Sequence, residues 1–210
     1  APELDEATFL SKAEAWRQKH LNAGALARIA IVRKGAVAAG DYVLVTFPNS
    51  ETRRLTPGPS ADISKSVIED FAPRFLEDPG VIFLSESGNK VVARDDALAK
   101  AIGLNIASDK NLPDIVLVDL GPKHPLLVFV EVVATDGPIN EMRKTALLQL
   151  AKGAGFPPDH VAFVTAFLDR SAAPFRRTVN GLAWGSYAWF ASEPERLALF
   201  SDKPIRLQGG

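Results

Sequence analysis

Two acidic residues flank a pair of strongly apolar segments and are the first candidates for chemistry. Residues 111–135 have the sequence NLPDIVLVDLGPKHPLLVFVEVVAT, which predicts two strands, Ile115–Leu120 and Leu126–Val133, joined by a turn rich in proline and glycine. Asp114 precedes the first strand and Glu131 lies late in the second. In an antiparallel hairpin these two ends lie side by side. Two carboxylates at one end of a buried sheet suit a hard divalent cation such as Mg²⁺.

The same two carboxylates also allow a purely structural interpretation. Asp114 follows a proline, as many turn-forming residues do, and Glu131 can pair with a structural arginine. Glu131 nevertheless interrupts an apolar, β-branched run, where burial is costly for a charge unless a cation meets it. That cost favours a functional site. In this interpretation Asp114, Glu131 and the backbone carbonyl of Val132 hold Mg²⁺, which activates water and stabilises charge on a phosphate, as in a metal-dependent nuclease.

Two basic residues follow on a helix that we predict from Gly137 to Lys152. Arg143 falls on the apolar stripe of this helix, which favours a cation directed at the metal site, and Lys144 is its neighbour. A solvated helix face is the alternative for both. Glu69, on an earlier helix, is a further candidate metal ligand, although such residues are more often plain surface.

Other polar side chains are candidates for contact with a nucleic-acid backbone, each with exposure to solvent as the ordinary alternative. Asn89 and Lys90 follow a glycine at a predicted hairpin tip, but the spacing of a Walker loop is not matched. The candidates for DNA binding are Asn89, Lys90, Arg53, Arg54, Arg176 and Arg177.

The elements that must position these residues alternate between strands and helices. After the hairpin, a strand–helix–strand order predicts a parallel crossover onto a mixed sheet flanked by helices, an α/β fold. We predict further strands at 42–47, 81–84, 90–93, 161–166 and 182–191. We predict helices at 6–21, from Ser64 with Asp62 or Ser64 as the N-cap, and at 95–102, 175–181 and 194–200, and leave 25–32 open between helix and strand.

Composition limits the class of protein and its organisation. The 210 residues contain no cysteine, which excludes disulfides and thiol catalysis, and the 24 basic and 25 acidic residues nearly cancel. No apolar run is long enough for a membrane span, and the acidic, polar start is unlike a signal peptide, so we expect a cytoplasmic protein. The segment 52–60 is rich in proline and glycine. We expect residues 1–52 to form a small helical and strand extension and residues 53–210 to form the main domain.

At these residues the chain resembles the BsuBI/PstI family of type II restriction endonucleases, part of the PD-(D/E)xK nuclease superfamily. The matching stretches are NSETRRLTPG, ISKSVIEDFAPRF, SESGNKVVARDDALAKAIGLNI, LPDIVLVD, FVEVVATDGPINEMRK, VAFVTAFLDR and LAWGSYAWFASEP. The resemblance implies a restriction-endonuclease-like core and Mg²⁺-dependent cleavage of double-stranded DNA at a short palindrome by a homodimer. It also implies a longer N-terminal region that helps DNA recognition, so we expect residues 1–52 to be a truncated recognition or linker region.

The chain departs from the superfamily pattern at one position. Val133 occupies the place of the motif lysine, two residues after the acid that matches Glu131. The resemblance implies that a basic residue on the following helix, Arg143 or Lys144, takes over this role. Two further functions stay open: a catalytically silent DNA-binding module on a nuclease scaffold, and a repair or defence nuclease without palindromic specificity.

Overall fold

The residues that the structure describes form a seven-stranded mixed sheet and a separate two-stranded hairpin. The computed structural model describes residues 42–86, 90–106, 112–135 and 137–204. The small hairpin pairs β1 with β2, and the large sheet has the strand order β4-β3-β5-β6-β7-β8-β9. The strands are β1 (Val43–Thr46), β2 (Thr52–Leu55), β3 (Pro79–Glu86), β4 (Lys90–Arg94), β5 (Ile115–Asp119), β6 (Leu126–Val133), β7 (Val161–Phe167), β8 (Ser186–Phe190) and β9 (Leu197–Phe200).

Helices lie in the connections between these strands. They are α1 (Pro59–Ser66), α2 (Ala72–Phe75), α3 (Asp96–Ala101), α4 (Glu141–Gly153) and α5 (Ala173–Thr178). A π-helical turn, Val67–Phe71, joins α1 to α2, and short 3₁₀ turns occupy Pro158–His160 and Val179–Gly181. None of the helices formed by residues 42–86, 90–106, 112–135 and 137–204 has the length and apolarity needed to cross a membrane.

The middle of the sheet explains why its strands have almost continuous apolar sequences. Strand β5 pairs with β6 in antiparallel fashion, with Ile115 opposite Val130, while β6, β7 and β8 run parallel. All residues of β5 are buried, as are seven of the eight in β6. Strands covered on both faces need apolar side chains on both sides, so their sequences do not alternate between polar and apolar residues. The predicted hairpin, the parallel crossover and the α/β class are confirmed.

Each face of the sheet carries its own apolar core. On one face, Ile63 and Val67 of the α1 segment and Val43 and Leu55 of the small hairpin pack with β-strand residues such as Leu117. On the other face, Ile139, Leu147 and Ala151 pack with residues such as Phe129 and Phe163. These two layers hold β5 and β6, and therefore Asp114 and Glu131, in a fixed frame.

Three helix predictions were wrong in their bounds or type. The helix expected from Ser64 begins at Pro59, because proline fits the first helical position and extends the helix N-terminal to the predicted caps. The helix expected from Gly137 begins at Glu141, since Gly137 has φ 93° and the side chain of Asn140 caps the first turn. Residues 194–200, predicted as a helix, contain strand β9, which pairs with the edge of β8.

Other predicted elements are close to the observed ones. Asp95 caps α3 by accepting a hydrogen bond from the Leu98 N–H at 2.8 Å, and Gly103 follows that helix with φ 79°. The last predicted strand is shorter, at Ser186–Phe190, and the predicted helix at 175–181 is α5 followed by a 3₁₀ turn. The predictions for 6–21 and 25–32 lie outside the described residues.

The predicted domain boundary falls within the small hairpin. Strands β1 and β2 pair from Val43 opposite Leu55 to Thr46 opposite Thr52, so residue 52 is the first residue of β2. Both strands contribute to the core beneath α1. The division of the chain at residue 52 stays a prediction, because residues 1–41 lie outside the described part.

Candidate active site

Asp114 and Glu131 converge at one end of the β5–β6 hairpin. Asp114 precedes β5, and its Oδ2 accepts a hydrogen bond of 2.8 Å from the backbone N–H of Val132, the residue after Glu131. The backbone carbonyl of Asp114 accepts a second bond of 2.8 Å from the N–H of Ser85 in β3. The carboxyl groups of Asp114 and Glu131 lie close enough for each to shift the pKa of the other. Three strands therefore fix the acidic pair in one place.

Burial raises the pKa of both carboxyl groups, and repulsion from Asp114 raises that of Glu131 further. Glu131 is only 9% exposed, and loss of hydration, followed by the charge of Asp114, raises the pKa of its carboxyl from 4.5 to about 7. Loss of hydration likewise raises the pKa of Asp114, although the Val132 N–H and the positive charge of Arg143 oppose the change. The site therefore favours one shared proton or a bound cation over two bare carboxylates.

Arg143 lies against this pair. Its Nε donates to Oε1 of Glu131 at 2.6 Å, and its Nη2 donates to the carbonyl of Leu112 at 2.9 Å. The residue is placed by the start of α4, where the Asn140 side chain accepts a bond from the Arg143 N–H at 2.8 Å. The guanidinium is thus held at two points, which matches the expected inner position of Arg143.

Lys144 points elsewhere. Its Nζ donates to the carbonyl of Trp184 and lies 5.7 Å from the centre of the Phe163 ring. This geometry ties α4 to the segment before β8. The structure brings Arg143, and not Lys144, to the acidic pair.

Glu69 lies away from the acidic pair in the described structure. Its Oε1 accepts bonds of 2.8 Å from the N–H of Thr46 and from Nζ of Lys65. These contacts fasten the end of β1 to the helical segment that contains α1. The residue does not line the cavity that contains Asp114 and Glu131.

That cavity has a volume of about 440 Å³, and its lining includes residues that we did not predict for the site. Its lining combines the carboxylates of Asp114, Glu131 and Glu86 with several hydroxyl groups. The hydroxyl residues in this lining, none of which we predicted for the site, are Thr56, Ser60, Ser64, Ser85 and Thr135. They come from β3 and from the segments after β2 and β6. No local sequence pattern marks them, since only long-range strand pairing assembles this surface.

The predicted DNA-binding residues are spread over several elements. Arg177 in α5 donates from Nη2 to the carbonyl of Thr135 at 3.3 Å, which places it at the rim of the cavity. Arg53 bonds to Glu51 at 2.5 Å and lies against Phe47, while Arg54 lies over Tyr42. Arg176 is exposed on α5, Lys90 is the first residue of β4, and Asn89 lies outside the described residues.

The oxygen donors fit a hard cation. Within the described ranges, no group of three or more His, Cys, Asp or Glu side chains is placed to hold a metal ion. Mg²⁺, however, commonly takes only one or two carboxylates and keeps several waters. The half-buried carboxylate of Asp114 and the buried carboxylate of Glu131, together with the carbonyl that we predicted at Val132, provide such a set. Val132 itself lines the cavity.

Comparison with known proteins identifies the family. The model of the BsuBI/PstI restriction endonuclease domain matches residues 43–203. The chain belongs to this family. The match confirms the resemblance drawn from the sequence blocks, and it spans every strand of the described structure.

Individual relatives agree with the family match. The chain is 31% identical over 147 residues to the type II restriction enzyme BsuBI of Bacillus subtilis, covering 70% of this chain and 44% of that protein. It is 28% identical over 154 residues to the type II restriction enzyme AplI of Arthrospira platensis, covering 70% of this chain and 45% of that protein. The chain thus spans less than half the length of these relatives.

The fold also matches a solved structure. The SdaI restriction endonuclease superposes with a TM-score of 0.69 at 25% identity, covering 83% of this chain and 52% of that protein. This agrees with the predicted restriction-endonuclease-like core.

Proposed function

We propose that this chain is the catalytic part of a type II restriction endonuclease that hydrolyses phosphodiester bonds of double-stranded DNA with Mg²⁺. The observation that carries the proposal is that Asp114 and Glu131 line one cavity while Arg143 donates a hydrogen bond to Glu131. The family match supports the same class of reaction. The proposal includes cleavage at a short palindrome by a homodimer, because two-fold symmetry in the DNA is matched by two copies of one site. It also places the protein in the cytoplasm.

The two carboxylates hold the cation in this proposal, together with the carbonyl of Val132. A bound Mg²⁺ supplies neutralisation of the charge that develops on the phosphate and lowers the pKa of nearby water. Asp114 is prepared for this role because the Val132 N–H fixes one of its oxygens at 2.8 Å. Glu131 is prepared because Arg143 fixes Oε1.

Arg143 takes the place of the missing motif lysine. Val133 is buried at 1% exposure, and its apolar side chain neither donates a hydrogen bond nor neutralises charge. Arginine keeps its proton at all ordinary pH values, so Arg143 acts by orienting Glu131 and by contributing positive charge, not as a general base. Lys144, bonded to Trp184, has a structural role in this arrangement.

A cleavage assay tests the proposal. Supercoiled plasmid and long linear DNA are incubated with the chain in Mg²⁺ or in chelator, and the product ends are mapped. We expect metal-dependent cutting that Asp114→Ala abolishes and that Asp96→Ala, which removes an exposed carboxylate paired with Arg94, leaves unchanged. Discrete bands support a specific site, whereas a smear supports a repair or defence nuclease without palindromic specificity.

A second candidate is a DNA-binding module that does not cut. It is favoured by a single observation, the apolar Val133 at the position of the motif lysine. It predicts retention of DNA by the wild-type chain with no cutting in either Mg²⁺ or Mn²⁺. Cutting that depends on Arg143 rejects it.

A further inference from the structure

One part of the cavity lining is a short loop that is anchored by Glu86. The loop, residues 56–58, connects the end of β2 to the start of α1. The backbone N–H of Thr56 donates to Oε1 of Glu86, and the Thr56 hydroxyl donates to Oε2 at 3.0 Å. Thr56 and Glu86 both line the cavity with Asp114 and Glu131.

The loop is stiff, so its anchor determines where it lies. Pro57 and Pro59 each fix one backbone dihedral, which leaves Gly58 as the flexible residue between them. At its far end the loop is held by the bond from the Asp62 N–H to the Gly58 carbonyl at 3.1 Å and by the buried Ile63. At its near end the loop is held by Thr56, whose described polar contacts are both with Glu86. Leu55, which is buried and paired with Val43, fixes the chain just before the loop. Loss of the Glu86 anchor therefore frees Thr56 and Pro57.

The same strand end also contacts the candidate metal site. Ser85, the neighbour of Glu86 in β3, donates its N–H to the carbonyl of Asp114 at 2.8 Å. The pairing of β3 with β4 shifts register between Leu84 and Ser85, a bulge that changes the direction of the strand end. Two consecutive residues thus connect Asp114 with the loop at Thr56, and they set the distance between them.

We propose that Glu86 is a positioning residue: through Thr56 it fixes the width of the cavity and thereby determines how firmly the backbone of one DNA strand is held beside Asp114 and Glu131. The ligand class, a phosphodiester backbone, rests on the proposed function. Both Glu86 oxygens accept bonds from Thr56, so the proposal assigns Glu86 to the loop and leaves the cation to Asp114 and Glu131. The hydroxyls of Thr56, Ser60 and Ser64 line the space that the anchor holds open.

The proposal separates binding from bond cleavage. In Glu86→Ala the loop loses its anchor, and we expect KM for DNA to rise about tenfold or more, since losing the equivalent of about one hydrogen bond to the DNA corresponds to about tenfold in affinity. We expect kcat to change less than about threefold and Mg²⁺ affinity to stay the same. Glu86→Gln is isosteric, and its amide oxygen still accepts the Thr56 N–H, so it rescues KM to near the wild-type value.

The experiment compares wild type, Glu86→Gln, Glu86→Ala and the charge-matched control Asp96→Ala. It measures KM and kcat on linear DNA, Mg²⁺ affinity by calorimetry, and exchange of the Thr56 amide hydrogen by NMR. Faster Thr56 exchange in Glu86→Ala alone, together with the rise in KM, supports the proposal.

Three results would overturn it, and each has a different meaning. Unchanged Thr56 exchange in Glu86→Ala refutes the anchor. Weakened Mg²⁺ binding in both Glu86 variants makes Glu86 a metal ligand instead of a positioning residue. A wild-type chain that neither binds nor cuts DNA refutes the proposed function and the DNA-holding role with it, while the exchange data still decide whether the anchor exists.

Discussion

The Nε atom of Arg143 lies 2.6 Å from Oε1 of Glu131, although the two residues are twelve positions apart in the chain. Strand β6 delivers the glutamate and the first turn of α4 delivers the arginine. This path from strand to helix gives the acidic pair a cation without any basic residue in β6. It explains how Val133 can be apolar and buried while the site still contains positive charge.

Replacement of the two neighbouring basic residues on α4 should give very different results. We expect Arg143→Ala to lower the rate of DNA cleavage by about a hundredfold or more, because preorganised charges of this kind contribute about 3–4 kcal/mol to a transition state. Lys144→Ala removes the contacts with Trp184 and Phe163, so we expect slightly lower stability and cleavage within about threefold of wild type. Plasmid cleavage measured for both variants checks this.

Arg143→Lys is the informative control for the comparison of Arg143→Ala with Lys144→Ala. Lysine keeps the charge but lacks the planar fork that reaches Glu131 and the Leu112 carbonyl together. We therefore expect partial activity between wild type and Arg143→Ala. If Arg143→Ala retains full cleavage while Lys144→Ala loses it, the assignment of roles is reversed.

The raised pKa of Glu131 predicts that stability depends on pH when no metal is present. The folded state holds a proton on Glu131 up to about pH 7, whereas the unfolded chain releases it near 4.5. The stabilising contribution is therefore complete below about pH 4.5 and is lost as the pH rises through 7, by up to about 3 kcal/mol. Urea unfolding in chelator at pH 5 and pH 8 measures the loss.

Glu131→Gln isolates this contribution from those of other acids. Glutamine cannot ionise, so we expect the difference in unfolding free energy between wild type and Glu131→Gln to change with pH in the stated direction. A difference that stays constant from pH 5 to pH 8 would remove the basis for a proton held by the acidic pair.

Added Mg²⁺ should stabilise the protein more at high pH than at low pH. Below pH 7 the cation must displace a proton from the acidic pair, and above it the carboxylates are already charged. At a concentration about a hundred times the Kd, we expect about 2.7 kcal/mol of stabilisation at pH 8 and clearly less at pH 6. Thermal unfolding with and without Mg²⁺ checks this, and Asp114→Asn should abolish the effect at both pH values.

Arg177 should contribute to DNA binding through charge at the cavity rim. It is held there by its bond of 3.3 Å to the Thr135 carbonyl. If it neutralises one phosphate, Arg177→Ala lowers the slope of log affinity against log salt by about 0.9. Arg196→Ala, which removes an exposed arginine bonded to Glu193, is the matched control and should leave the slope unchanged. Equal slopes for all three proteins would place Arg177 outside the DNA interface.

The central hairpin could be predicted because its signals are local. An apolar, β-branched run with breakers on both sides predicts a buried strand, and a single glutamate in that run stands out. The inner position of Arg143 followed from its helical spacing relative to Leu147, since Ile139 precedes the helix. The roles of these residues in catalysis stay predictions.

Other parts of the fold depend on contacts that a local pattern does not contain. Residues 197–200, LALF, have no alternation of polar and apolar residues, and pairing with β8 decides that they form a strand. Glu86 and Thr56 are thirty residues apart, so their contact exists only once β3 and the segment after β2 are in place. Predictions from periodicity find elements and miss such pairs.

A buried carboxylate outside the candidate site, that of Asp119, gives a prediction about stability alone. Asp119, 3% exposed at the end of β5, accepts backbone N–H bonds from Asp78 at 2.8 Å, Glu77 at 3.0 Å and Gly121 at 3.1 Å. These bonds join the start of β3 to the end of β5, at the opposite end of the strands from Asp114. Asp119→Ala leaves three N–H groups without this acceptor, and we expect a loss of about 2–4 kcal/mol in unfolding free energy.

Asp119→Asn should lose less unfolding free energy than Asp119→Ala. The asparagine side-chain oxygen still accepts hydrogen bonds, although its amide nitrogen does not. The exposed Asp159→Ala is the control and should change stability by less than about 0.5 kcal/mol. Cleavage by Asp119→Ala, measured well below its unfolding temperature, should equal that of wild type, since the bonds of Asp114 to Val132 and Ser85 are untouched. A variant that stays stable but loses cleavage would instead connect this end of the sheet to catalysis.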